Sequence, residues 1–174
     1  MTHRSQPSHL NTHRIFLSLG SNLGDRERSL ELAAQLLLQN GVKTEKLSSI
    51  YSTEPVDFKD QPWFLNQVVL VETVLAPRDL LVECLGIERS LGRQRIEPKG
   101  PRTLDVDILF YDDWVVEEMG LTIPHPRLHL RRFVLIPLIE IEPNLVHPVF
   151  HEPVTSLLER CPDPSQVVLV GKVC

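Results

Sequence analysis

Residues 92–110, GRQRIEPKGPRTLDVDILF, run from a cationic loop into a strand that carries two aspartates. Side chains of a strand alternate between faces, so Leu104, Val106, Ile108 and Phe110 are expected on one side and Thr103, Asp105, Asp107 and Leu109 on the other. This strand completes an order that starts far upstream. The apolar run IFLSL from Ile15 is a strand, broken by Gly20-Ser21-Asn22 before a helix that starts near Asp25 and ends at Asn40-Gly41. Residues 45–52 read as a strand, 53–62 as a turn-rich loop, and FLNQVVLVETVL as a long strand. Pro77 opens a second helix, closed by Gly92. Strand, helix, strand, strand, helix, strand is the ferredoxin-like order, an α+β fold with helices packed on a mostly antiparallel sheet.

Beyond this core the periodicity weakens, and extra C-terminal elements are expected. TLDVDILFY should turn at Asp112-Asp113 and pair with WVV as a hairpin. IPHPRLHL reads as a proline-bounded loop, RRFVLIPLIEI as a short helix or strand, and 153–160 as a last helix. Residues 1–13, polar and carrying His3, His9 and His13, are expected to be a flexible tail, and residues 14–174 one domain.

The chain has 174 residues, 42% of them hydrophobic and 24% charged, which suits an ordinary globular domain and excludes a disordered one. Its net charge of −5 argues against a nucleic-acid partner, so an anionic ligand must meet a local basic cluster. Cys84, Cys161 and Cys174 have no paired spacing and read as free thiols in a reducing compartment. No apolar run reaches membrane length and the N-terminus lacks a signal-peptide pattern, so a cytoplasmic protein without a membrane partner is expected.

Asp105 and Asp107 share a strand face, with Cα atoms roughly 6.5 to 7 Å apart. Two ionised carboxylates so close repel unless a cation lies between them, and a hard divalent ion, magnesium first, would supply it. Read alone, the pair better fits the solvent-facing edge of a half-exposed strand. Arg93, Arg95, Lys99 and Arg102 immediately precede it, which favours a magnesium-bound polyphosphate over that reading, although internal salt bridges fit the spacing as well. There is no P-loop, kinase signature or serine nucleophile elbow, and the GSNLGDR turn reads as structural rather than phosphate-binding.

Taken in order, LGSNLGDR (19–26), YSTEPV (51–56), DQPWFLNQV (60–68), IERSLGR (87–93), GPRTLDVDIL (100–109) and IPHPRLHLRRFVLIPL (123–138) resemble the 6-hydroxymethyl-7,8-dihydropterin pyrophosphokinase family over residues 14–148. The resemblance implies a ferredoxin-like core and transfer of pyrophosphate from ATP to 6-hydroxymethyl-7,8-dihydropterin, releasing AMP, in folate biosynthesis. By the same resemblance Asp105 and Asp107 hold two magnesium ions, with Asp107 near the attacking hydroxyl. Arg93 and Arg102 grip phosphates and act in catalysis, while Arg95 assists from a loop expected to close over the triphosphate. Glu88, His125 and Arg131 fall at nucleotide positions. Thr53, Glu54, Val56 and Asn66 read the pterin edge, and Phe64 and Phe133 sandwich the ring; without the resemblance both aromatics read as core. A monomer is expected. Lys99 and Leu130 depart from the pattern, which touches loop closure and adenine packing rather than the chemistry. Two rivals of other classes are a regulatory module that binds ATP without turnover and an Asp-x-Asp transferase acting on a nucleotide sugar.

Overall fold

Alternation along one central strand divides the molecule into two cores. Strand β1 (His13–Ser21) puts Ile15, Leu17 and Leu19 on one face and Phe16, Ser18 and Gly20 on the other, and every one of these residues is buried. The first set packs against helices α1 (Arg26–Gln39) and α2 (Pro77–Ser90) through Leu30, Ala33, Leu37, Leu80, Cys84 and Ile87. Phe16 faces helices α3 (Arg132–Ile141) and α4 (Val154–Glu159), meeting Val134, Leu135, Leu138, Val154 and Leu157 in a second cluster. The computed structural model describes residues 11–92 and 100–171.

Strand β1 lies between β4 (Phe64–Thr73) and β5 (Asp105–Tyr111), antiparallel to both. Beyond β4 come β3 (Ile50–Thr53) and the edge strand β8 (Val167–Gly171), giving the order β5-β1-β4-β3-β8. Strand β2 (Lys43–Leu47) pairs with the far end of β4. The strand expected over 45–52 is thus two strands on one partner, separated at Ser48-Ser49. The break is polar and buried: Ser48 Oγ accepts from Val68 N at 3.0 Å, and Glu140 of α3 accepts from Ser49 N, Ser49 Oγ and Tyr51 OH. With α1 and α2 as crossovers, β1, β2/β3, β4 and β5 form the expected ferredoxin-like core.

Both helix ends fall where expected. Asp25 caps α1 by accepting from Arg28 N at 3.0 Å, and Gly41 and Gly92 take φ of 77° and 83° just past α1 and α2. Other expectations need correction. Strand β1 begins at His13, whose Nδ1 bonds Asp112 Oδ2 at 2.6 Å, so the last residue assigned to the tail belongs to the sheet; residues 1–10 lie outside the described residues. The turn at Asp112-Asp113 forms, but β6 (Val116–Glu118) pairs with β7 (Leu121–Ile123) rather than returning along β5. RRFVLIPLIEI resolves to the helix α3, with Pro137 inside it. In β5 the alternation holds only to Ile108. Leu17 faces Ile108 while Phe16 faces Phe110, so Leu109 is an extra residue, and Phe110 joins the cluster under α3, opposite Val106 and Ile108. Cys84 and Cys161 are free thiols; Cys174 lies outside the described residues.

Candidate functional site

Beside the N-terminal turn of α3, the second face of the sheet borders a cavity, and the strand register sets its floor. Gly20 stands opposite both Asn66 and Asp105, and Ser18 opposite Asp107, while Thr53 pairs with Phe64 on the outer side of β4. Four neighbouring strands therefore present one row of side chains to the same space. That space is a cavity of about 220 Å³, walled by the Thr53–Gln61 loop on one side and by His125, Arg127, Arg131 and Phe133 on the other.

The row has an organic end and a charged end. At the first, Asn66 is 4% exposed and its Nδ2 donates to Thr53 Oγ1 at 2.6 Å; Phe64 and Phe133 also line it. A Cβ on Gly20 would stand 2.7 Å from Asn66 Oδ1, so only glycine leaves room for the amide. An amide beside two aromatic faces suits a flat heterocycle with donor and acceptor edges. At the second end Arg102 Nε pairs with Asp105 Oδ2 at 2.5 Å, and its guanidinium lies 5.3 Å from the Phe64 ring centroid. Arg131 lies 5.6 Å from the Phe133 centroid in the same manner, so each aromatic abuts a cation on its charged side.

Burial governs ionisation here. The His125 pKa is pulled down to about 4, chiefly by burial and then by Arg131 and Arg127. Its Nδ1 accepts from Arg127 N at 3.1 Å, so in the neutral ring Nε2 carries the proton and can donate. The Arg131 pKa is lowered by burial, against which Asp107 acts most strongly, and the group remains a cation. Among the described residues no three His, Cys, Asp or Glu side chains cluster as a metal site. Asp105 and Asp107, on one face of β5, offer two carboxylates to the cavity. Such a pair suits magnesium, whose other positions are commonly filled by phosphate oxygens and water.

Of the residues singled out from sequence, Thr53, Glu54, Val56, Phe64, Asn66, Arg102, Asp105, Asp107, His125, Arg131 and Phe133 all line this cavity. Arg93, Arg95 and Lys99, on the loop expected to close, lie outside the described residues. Glu88 does not line it. It is 4% exposed in α2, and its Oε1 accepts from Val106 N at 2.9 Å, which anchors β5 between the two aspartates. Several residues went unread in the sequence. Ser18 and Gly20 line the floor, and Arg127 pairs with Asp57 at 3.2 Å across the mouth. Asn22 is 2% exposed; its Nδ2 donates to Gln61 Oε1 and Pro62 O, and its Oδ1 accepts from Arg102 N. It ties the loop before β4 to the Arg102 segment. The signal was present as the Gly20-Ser21-Asn22 break, which registered only as a turn.

The fold and this cavity define a ferredoxin-like α+β protein that sets an aromatic and amide pocket beside an arginine and carboxylate site. Comparison with known proteins narrows the class: the sequence model of the 7,8-dihydro-6-hydroxymethylpterin-pyrophosphokinase (HPPK) family matches residues 16–143, and the chain belongs to that family. It is 41% identical over 139 residues to the 2-amino-4-hydroxy-6-hydroxymethyldihydropteridine pyrophosphokinase of Aquifex aeolicus, covering 80% of this chain and 86% of that protein. Over 127 residues it is 48% identical to the pyrophosphokinase of the same name from Bacillus subtilis, covering 72% of this chain and 76% of that one. It is 44% identical over 148 residues to the folic acid synthesis protein fol1 of Schizosaccharomyces pombe, covering 84% of this chain but only 20% of that protein. The chain thus spans about a fifth of the fol1 relative it matches. Among solved structures, a Plasmodium falciparum HPPK-DHPS triple mutant superposes with a TM-score of 0.69 at 19% identity, over 88% of this chain and 45% of that one, which supports the fold.

Proposed function

We propose that this chain transfers the pyrophosphoryl group of ATP to 6-hydroxymethyl-7,8-dihydropterin, releasing AMP, with two magnesium ions required. The observation that carries the reading is the single row of side chains from Thr53 and Asn66 to Asp105 and Asp107, which joins a heterocycle pocket to a phosphate site. The pterin would lie between Phe64 and Phe133, its edge read by Asn66, Thr53 and the backbone at Glu54 and Val56. That pose points the hydroxymethyl group along the row toward Asp107.

A second cavity adjoins through Asp107 and His125, lined by Leu81, Ile108, Leu121 and Thr122. Mainly apolar and next to the charged end, it suits the base and ribose of the nucleotide, with the triphosphate crossing between the cavities. Asp105 and Asp107 would hold the magnesium ions, which when bound neutralise phosphate charge and favour attack by a hydroxyl oxygen. Arg102 and Arg131 would fork onto phosphate oxygens, and the His125 Nε2 proton would donate to one of them. Arg93 and Arg95 would complete the grip. The pterin hydroxyl oxygen attacks the β-phosphorus and gives up its proton to solvent, the bond from that phosphorus to the α-phosphate oxygen breaks, and AMP leaves with that oxygen. The chain's part is positioning and electrostatic stabilisation.

The residues from His13 onward would act as one domain and as a monomer in the cytoplasm. Among the described residues no helix is long and apolar enough to cross a membrane, and the net charge of −5 gives no support to a nucleic-acid partner. Phosphorus NMR of the product tests the reading. A pterin diphosphate ester is expected; a monophosphate ester, or unmodified pterin alone, would refute it.

A further inference from the structure

We propose that Asp163, in the segment between α4 and β8, is a positioning residue for the pterin pocket. The inference rests on the pterin reading of the cavity. It concerns a part of the chain beyond residues 16–143, the span matched by the family.

Helix α3 begins at Arg132, and the Arg131 side chain makes no capping bond to it. The first amides of a helix need outside acceptors, and a carboxylate there is also favoured by the helix dipole. Asp163 meets that need from 31 residues downstream: its Oδ2 accepts from Arg132 N at 2.9 Å. Its Oδ1 accepts from Ser165 N at 2.9 Å, which fixes the carboxylate's orientation, and the residue is only 6% exposed. Arg131 and Phe133, on either side of the bonded amide, both line the cavity. The carboxylate therefore holds the turn from which one wall of the pocket projects.

The same segment holds the opposite wall. Glu54 N donates to Gln166 O at 3.0 Å, and Gln166 N donates to Glu54 Oε2 at 3.3 Å. One residue on, Val167 pairs with Thr53 at the start of the β8 ladder. Residues 163–167 thus bridge Phe133 on one side to Thr53 and Glu54 on the other, and Asp163 sets the spacing between them.

The test compares Asp163→Ala and Asp163→Asn in the full chain; the asparagine keeps one acceptor oxygen and is the gentler change. Asp163→Ala should raise the pterin KM about tenfold, because both walls of that pocket meet residues 163–167, and the ATP KM by less, because Arg131 alone of the phosphate-gripping side chains stands on the released turn, with kcat changed less than about threefold. Asp163→Asn should fall between it and wild type. In ligand-free protein, hydrogen exchange at the first amides of α3 should speed up in both variants while α1 keeps its rate. If Asp163→Ala does not fold, Asp163→Asn decides by the same measurements. Pterin KM unchanged in the folded variants, or an ATP KM rising as much as the pterin KM or more, overturns the assignment. Wild-type protein that binds no pterin overturns the functional reading and this assignment with it.

Discussion

At Gly20 the backbone of β1 passes between Asn66 and Asp105, and the missing side chain is what lets the Asn66 amide lie over the strand. Adding one methyl at 2.7 Å from Asn66 Oδ1 must displace the amide from its bond to Thr53. Gly20→Ala should therefore weaken pterin binding about tenfold or more while the protein still folds, since one pterin-edge hydrogen bond is worth that much. Calorimetry with pterin would show it. Asp107 acts on the other substrate. Asp107→Asn keeps the shape but removes a charge from the metal platform, and turnover should fall at least about 10²-fold, as for loss of one transition-state electrostatic contact. Steady-state assay of a variant with an unchanged melting curve checks this. Phe133→Ala should cost about 1 to 3 kcal/mol of pterin binding through lost stacking and burial, and leave ATP affinity nearly unchanged. Equal losses for both ligands would mark the ring as structural.

Among the elements, α3 does two jobs that the sequence shows only in part. Its N-terminal turn brings Arg131 and Phe133 to the cavity, and Glu140 near its other end accepts from Ser49 and Tyr51 where β2 passes into β3. Burial, and then Glu140, push the Tyr51 pKa up to about 12, so its hydroxyl stays a donor. Glu140→Ala would leave buried donors at Ser49 unpaired and should destabilise the protein by about 1 to 3 kcal/mol. Urea unfolding should show a lower midpoint, with pterin affinity in the folded protein little changed. The helices and long strands were legible because their periodicity and end signals are local, as with Asp25, Gly41, Pro77 and Gly92. Partner choice was not. Nothing near Val116 announces that its strand pairs with 121–123, and the Leu109 bulge arises only when β5 is matched against β1. Strand β8 escaped notice because VVLVG is short and follows a proline-rich stretch, and its half-exposed side chains give no clean alternation.

For the molecule as a whole, two buried imidazoles link stability to pH. The His147 pKa is pulled down to about 4, chiefly by burial and then by His129; its Nδ1 accepts from Val149 N and Phe150 N, and its ring stacks on Phe150 at 4.2 Å. His125 is lowered to the same value. Ordinary histidines titrate near 6.5, so between about pH 6.5 and 4 the unfolded chain binds protons that the folded one refuses. Stability is therefore full above pH 6.5 and falls as pH drops. From pH 7 to 5 the two histidines together should cost about 2 to 4 kcal/mol in urea titrations, the full shifts giving the upper figure. His147→Gln should flatten that slope, and an unchanged slope would assign the loss to other groups. The site was legible at a deeper level than the fold. Asp105 and Asp107 could be placed on one face from strand periodicity alone, and the Arg102 cluster beside them from composition. Phe64, Asn66 and Phe133 were legible only through the family resemblance, because without it the two aromatics read as core and the amide carries no signal of its own. Asp163 was not legible by either route, since its partner at Arg132 is 31 residues away and meets it only through the fold.

The central claim is that one row of side chains joins a pterin to the β-phosphorus of ATP. Its most direct test is to incubate the protein with ATP and magnesium, with and without 6-hydroxymethyl-7,8-dihydropterin, and separate the nucleotides by chromatography. The account predicts one AMP for each pterin consumed, and almost none when the pterin is left out. ADP as the principal product, or AMP released equally without pterin, would contradict it.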